Sequence, residues 1–364
     1  MVTVSVGTFT VVTSEMLPVG LLTPMGAAMD VSDGTAGLTM SAPGLVAAIA
    51  APAIAAGAGR VDRRTLLSGL MALMVVANLA AALAPGFWVL MAARVVTGVG
   101  IGGFWAFAGT LAVRLVPHAS VGRATAMIAG GVSVASVAGV PAGTLIASMA
   151  DWRWAFGVIA LLALAVMVAL LIALPPLPAT GALRLGGVWR DPALRGVLIT
   201  TGLLVIGHFA AYTYVRPFLE LSGAAIGLTL LVYGLGGVAG NFASGWLAPR
   251  NPRLTLIGLG VLIAVATLTL PLAGDPFLLV VLWGVSYGGV SVTAQLWMIK
   301  SNGGEAGMAW LSSVFNATIA TGALIGGQVV DHVSIPAVMW LGAALALVSA
   351  AFAGKWGRST TTGS

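Results

Sequence analysis

The chain has ten acidic residues, and nine of them fall in polar breaks or at the ends of apolar runs. The exception is Glu15, near the middle of an apolar stretch from Thr3 to Gly26. An ionised carboxylate at bilayer depth costs at least a few kcal/mol, so such a residue faces a protein interior or a water-filled path. An acid that is neutral or charged according to the side it faces can exchange protons across a membrane. Three more polar side chains, His208, Tyr212 and Arg216, recur at four-residue spacing within another apolar run, which places them on one helical face. Histidine titrates near physiological pH, and aromatic rings stack on purine or sugar faces. Arg94 lies inside a further run, and Asn241, Gln295 and Asn316 lie inside three others.

These residues suit reversible protonation and hydrogen bonding better than covalent catalysis. There are no cysteines, and of three histidines His118 and His332 fall in breaks or at run ends. No H-E-x-x-H zinc motif and no phosphate loop ending G-K-[ST] occurs. An enzyme or ATP-driven pump is therefore disfavoured, and no metal or cofactor is expected. The net charge of +6 is spread singly or in pairs at the ends of apolar runs, with no basic stripe for nucleic acid.

The elements that must position these residues are membrane spans. Hydrophobic residues make up 59% and charged residues 7%, against about 25% charged in a soluble domain. At about 20 apolar residues per span, the sequence reads as twelve: 3–27, 36–57, 65–84, 87–112, 122–147, 154–174, 194–218, 225–247, 254–272, 277–299, 306–330 and 335–354. The first is too long for a cleavable signal and lacks its basic start. A start codon displaced by a few residues would account for the missing polar tail before it. The longest break divides the chain into a six-helix half at 1–174, a linker at 175–192 and a six-helix half at 193–364.

Loop charge sets the orientation. Thirteen of the sixteen basic residues, among them Arg60, Arg63, Arg64, Arg250, Arg253 and Lys300, fall on the side of both termini. The opposite side holds Arg153 with Asp30, Asp33, Asp151, Glu220, Asp275 and Asp331. Both termini are thus expected in the cytoplasm, and the protein in the inner or plasma membrane. The halves also resemble each other. Gly98–Gly103 matches Gly284–Gly289, the Gly57–Arg64 loop matches Gly245–Arg253, and Glu15 and Pro24 align with His208 and Pro217. Parallel six-span repeats place a site near the midplane between the halves.

With these features the chain resembles the major facilitator superfamily, specifically its drug:proton antiporter branch. The Gly57–Arg64 loop is similar to the family's G-x-x-x-D-R-x-G-R-R signature, with Gly59 at the usual aspartate place and Asp62 at the usual glycine place. Arg60, Asp62, Arg63 and Arg64 are its gating-loop residues by resemblance. Leu90–Gly98 is similar to L-x-x-x-R-x-x-x-G, whose arginine, here Arg94, the family assigns to proton coupling. Gly139, Pro141 and Gly143 partly match the antiporter signature G-x-x-x-G-P-x-x-G-G. The segments Ser14–Leu22 and Gly207–Pro217 look like those of sugar and purine-ribonucleoside efflux permeases. The resemblance implies proton-driven export of a small polar molecule: a nucleoside, a sugar or a drug.

Glu15, Arg94 and His208 are accordingly the expected proton-coupling residues, with Arg94 acting on Glu15 directly or through water. The expected substrate contacts are Glu15, His208, Tyr212, Arg216, Asn241, Gln295 and Asn316. Each has a plainer alternative. Glu15 is then a structural acid, Arg94 an interfacial arginine, Arg216 a snorkelling side chain, and the amides bond neighbouring helices. The row Gly131, Ala135, Gly139, Gly143 and Ala147 on the fifth span and the pair Gly322 and Gly326 on the eleventh read as packing seams. A passive facilitator, a channel, a coupled importer and, less so, an intramembrane enzyme remain as rival readings. The expected partners are the substrate, protons and the lipid bilayer, with the protein monomeric.

Overall fold

The computed structural model describes residues 1–57, 61–115, 117, 121–177 and 187–356. Among these there is no strand, and twelve helical segments are long and apolar enough to cross a membrane. The first four spans are α1 (Val2–Met29), α2 (Asp33–Gly57), α3 (Arg63–Ala82) and α4 (Phe87–Leu115). The fifth is α5 (Val121–Val134) and α6 (Val140–Met149), joined by a π-helical turn at Ala135–Gly139. The sixth is α7 (Trp152–Ala173). The second set runs through α8 (Pro192–Tyr212), the short α9 (Val215–Leu221), α10 (Ile226–Leu247) and α11 (Pro252–Thr269). It ends with α12 (Phe277–Gly288), α13 (Val290–Lys300), α14 (Gly304–His332) and α15 (Ile335–Trp356).

The number and places of the spans agree with the sequence reading; their continuity does not. The seventh span, expected unbroken over 194–218, stops at Tyr212 and restarts at Val215. Pro217 supplies the reason: it has no N–H for the carbonyl of Thr213, and its ring crowds that carbonyl. The π-turn in the fifth span has a similar origin in Pro141, and a 3-10 turn at Leu270–Leu272 contains Pro271. The tenth span is interrupted at Gly289.

Packing is not uniform from one end of the molecule to the other. At the basic end the first six spans enclose their own core, with Val4, Leu67, Phe107 and Leu111, while Leu194, Val197, Met298 and Leu311 form another core in the last six. Toward the acidic end one core spans both sets, joining Val19, Leu22, Ala36 and Met40 to Phe209, Tyr214, Ile319 and Ala323. Among the described residues the two sets thus share a core toward the acidic end, while each keeps a separate core toward the basic end.

The acidic end is also tied by polar groups. Asp331 of α14 accepts the Gly34 N–H at 3.0 Å and the Ser32 hydroxyl at 2.7 Å, so a carboxylate from the last six spans caps the N-terminus of α2. Gly34 permits this approach: a Cβ there would run into Asp331 and the Gly327 carbonyl. Tyr214 donates to the Ala323 carbonyl at 2.8 Å.

The basic end shows the repeat in its capping. Arg64 donates to the Leu171 carbonyl near the end of α7. Arg253, its counterpart, donates to the Ala353 and Gly354 carbonyls of α15, each at 2.7 Å. In both sets an arginine at the start of the third span covers the free carbonyls ending the sixth.

Candidate substrate and proton site

Glu15 sits in the middle of α1, buried at 5% exposure, and its Oε1 has no hydrogen-bond partner among the described residues. Nearby, the Ser14 hydroxyl donates to Asn78 Oδ1 at 2.8 Å and Asn78 Nδ2 donates to the Met74 carbonyl at 2.8 Å, while the buried Thr13 hydroxyl, like Oε1, has no partner among the described residues. An unpaired carboxyl oxygen at this depth lacks a donor that a proton, or a substrate N–H or O–H, would supply.

Arg94 is completely buried within the protein. Its guanidinium meets backbone rather than carboxylate. Nε donates to the Thr39 carbonyl at 2.8 Å, Nη1 to the Ser14 carbonyl at 2.9 Å and Nη2 to the Glu15 carbonyl at 3.1 Å. No Arg94–Glu15 side-chain ion pair is present among the described residues.

The last six spans contribute an aromatic cluster centred on His208. Its ring lies flat on Tyr287, with centroids 3.3 Å apart and planes 3° from parallel. It also stacks on Tyr212 at 5.1 Å, and Tyr212 stacks on Tyr233 at 4.7 Å. The Trp283 indole N–H donates to His208 Nδ1 at 3.0 Å, and His208 Nε2 meets the Tyr233 hydroxyl at 3.3 Å. Indole only donates. Nδ1 is therefore the acceptor, the ring proton is on Nε2, and the imidazole is neutral in this arrangement. Tyr287 lies near enough to Glu15 for the two side chains to interact electrostatically. The stack is built from α8, α10 and α12, and Tyr287 is its member within electrostatic reach of the buried acid of α1.

Of the residues expected at the site, His208 and Tyr212 are brought together, and Arg94 lies against the Ser14 and Glu15 backbone. Arg216 is not in this group. The break after Tyr212 takes it off the stripe, and it pairs with Glu220 at 2.9 Å and donates to the Gly20 carbonyl of α1. Asn316 is buried and donates to the Ser312 carbonyl of its own helix at 3.0 Å. Gln295 is exposed and donates to Ser291 at 3.0 Å, and Asn241 is half-buried.

In the gating loop Arg60 lies outside the described residues. Asp62 caps α3 through the Arg64 and Thr65 N–H groups and accepts the Leu177 N–H at 2.5 Å, which fastens the start of the linker. Arg63 is buried with its guanidinium 4.2 Å from the Phe107 ring centre. Pro141 begins α6 directly after the π-turn, and Gly139 and Gly143 lie against Thr13 and Leu17 of α1.

Tyr233, Trp283 and Tyr287 escaped the sequence reading. The available signal was rarity: the chain has four tyrosines, all in its second half, and Tyr287 lies inside the Gly284–Gly289 repeat.

The Major Facilitator Superfamily model matches residues 4–307. Similar curated proteins include the transcription regulatory protein OpdE of Pseudomonas aeruginosa, 33% identical over 95% of this chain and 90% of its own. A probable sugar efflux transporter of Helicobacter pylori (strain G27) is 30% identical, covering 95% of this chain and 92% of its own. The purine ribonucleoside efflux pump NepI of Shigella dysenteriae is 30% identical, covering 92% and 89%. In fold, the chain resembles an inward-facing, unoccupied bacterial homologue of the human lysosomal transporter Spinster, with TM-score 0.76, 16% identity and coverage of 99% and 97%. A match spanning most of the chain, on twelve spans around a buried acid, makes this protein a member of the Major Facilitator Superfamily of membrane transporters.

Proposed function

We propose that this transporter exports a small polar molecule in exchange for protons, with Glu15 as the proton carrier. The observation that carries the reading is the unpaired, buried Oε1 of Glu15, within electrostatic reach of the Tyr287 ring that stacks on His208. A proton and a substrate donor would compete for that oxygen, and competition for one site in two alternating states yields exchange. The flat aromatic faces suit a purine ribonucleoside or a sugar ring, the classes printed in the names of two relatives. His208 and Tyr212 then line the substrate face, while the neutral His208 ring supports binding rather than proton carriage in this state.

The two six-span halves, 1–174 and 193–364, are the moving bodies. With the basic loops and both termini in the cytoplasm, the described state opens to the cytoplasm and is closed outside. Substrate enters between the halves at the basic end, and outward opening exposes Glu15 to external protons. The protein acts as a monomer in the inner membrane, and the Arg60–Arg64 loop borders the cytoplasmic opening.

Inside-out vesicles test this. An acidic lumen should drive accumulation of radiolabelled adenosine or glucose, and added substrate should dissipate part of the pH gradient. Glu15→Gln should fold and insert but lose accumulation. Full gradient-driven accumulation by that variant would overturn the carrier role, and downhill equilibration alone in the native protein would identify a passive facilitator.

A further inference from the structure

Two prolines lie inside α1, Pro18 and Pro24, and two inside α2, Pro43 and Pro52. A proline has no N–H, so each leaves the carbonyl four residues earlier without its intrahelical donor. Those carbonyls belong to Ser14, Gly20, Thr39 and Ala48. In the hydrocarbon region no water is at hand to replace the lost bond.

Arginines meet three of the four. Arg94 donates through Nη1 to Ser14, freed by Pro18, and through Nε to Thr39, freed by Pro43. Its third bond goes to Glu15, the next carbonyl along. Arg216, from the other set of spans, donates to Gly20, freed by Pro24. Ala48 has no side-chain donor among the described residues. Arg94 is itself held in place because α4 lies against α2: a Cβ at Gly98 would meet the Pro43 carbonyl at 2.5 Å, and one at Gly102 the Ala47 carbonyl at 2.6 Å.

We infer that Arg94 is a positioning residue whose guanidinium joins α1 to α2 by filling the carbonyls that Pro18 and Pro43 set free, and so fixes the depth and rotation of Glu15. The role needs a planar fork with donors aimed at two helices, which a lysine ammonium does not offer. It does not need Arg94 to meet the Glu15 carboxylate. The inference deepens the proposed role of Glu15 and rests on it for its functional consequence, though the clasp itself stands on geometry.

A mutant cycle on purified full-length protein tests it, with Arg94→Gln and Arg94→Lys placed in the native, Pro43→Ala and Pro18→Ala/Pro43→Ala backgrounds. Two quantities are read: the melting temperature, and the pH-dependent part of it that Glu15→Gln abolishes. Arg94→Gln should lower the melting temperature by several degrees with the prolines present, and by less than half as much when restored N–H groups take the carbonyls. The pH-dependent part should survive in the triple variant. Arg94→Lys should fail to rescue the native background. Equal losses in all backgrounds, full rescue by lysine, or disappearance of the pH-dependent part from the triple variant would overturn the clasp. If the double-proline variant does not fold, Pro43→Ala alone, which leaves α1 untouched, should give an intermediate loss; an undiminished loss there overturns the inference. A native protein with no Glu15-dependent pH effect would refute the carrier reading, while the melting-temperature coupling would still decide the clasp.

Discussion

Trp283 donates its indole N–H to Nδ1 of His208 at 3.0 Å, and that one bond fixes the tautomer at the centre of the aromatic cluster. The partner of Nε2 is the Tyr233 hydroxyl. With Nδ1 used as an acceptor, His208 cannot take a second proton without breaking the indole contact. The internal repeat aligns His208 with Glu15, and the sequence reading expects both to take part in proton coupling. The geometry of this state instead divides the labour: an acid without a donor on α1, and a neutral, fully bonded ring on α8.

Replacing Trp283 by Phe keeps an apolar ring and removes the donor. Leaving Nδ1 unpaired should cost about 1–3 kcal/mol, read as a lower melting temperature. Nitrogen-15 NMR of the imidazole should show the Nε2–H tautomer in the native protein from mildly acidic to mildly alkaline pH. A doubly protonated ring at mildly acidic pH in the native protein would contradict the assignment.

Tyr287 stacks on His208 and lies within electrostatic reach of Glu15. Tyr287→Phe keeps the stack and deletes a hydroxyl that has no hydrogen bond to the described protein groups. Stability should change little, because nothing is left unpaired. Affinity for a transported nucleoside or sugar should fall about tenfold, the value of one hydrogen bond of about 1.4 kcal/mol. Unchanged affinity measured by calorimetry would remove Tyr287 from the site.

Asp331 and Gly34 connect the two sets of spans at the acidic end. Asp331→Ala leaves the Gly34 N–H at the start of α2 and the Ser32 hydroxyl without that acceptor, at a cost of about 1–2 kcal/mol to the closed form alone. That shifts the closed–open equilibrium by about tenfold toward opening. The chain has no cysteine, so probes can be attached uniquely at Ala28→Cys and Val333→Cys across this end. The longer inter-probe distance should gain population in Asp331→Ala. An unchanged distance distribution would show that the cap does not hold the end shut.

How much of this could be read in the sequence varies with the range of the interaction. Twelve spans, the buried position of Glu15 and the glycine seams are local patterns of composition and spacing, and they match the structure. The aromatic cluster is not local. Tyr212, Tyr233, Trp283 and Tyr287 come from three helices, and no spacing rule joins them. Arg216 shows the opposite error. Its four-residue spacing from Tyr212 is a correct helical rule applied across a point where Pro217 ends the helix. For Arg94 the sequence shows the need for a partner inside the membrane but not which carbonyls supply it; those of Ser14 and Thr39 are visible in sequence only as prolines four residues further on.

The last expectation concerns the seat of α1. A Cβ at Gly139 would stand 2.7 Å from the Thr13 hydroxyl oxygen and 3.0 Å from its methyl group, at the last residue of the π-helical turn that Pro141 helps to maintain. Gly139→Ala must therefore push α1 away from the fifth span, and overpacking of this kind costs about 1–3 kcal/mol. Pro141→Ala acts in the other direction. It restores an N–H, allows regular α-helical bonding through Ala135–Gly139, and should stabilise the span while removing its bend. If the bend seats Glu15 against the ring stack, both variants should lose gradient-driven accumulation although one melts lower and the other higher. Retention of full transport by Pro141→Ala would show that the bulge has no part in placing the acid.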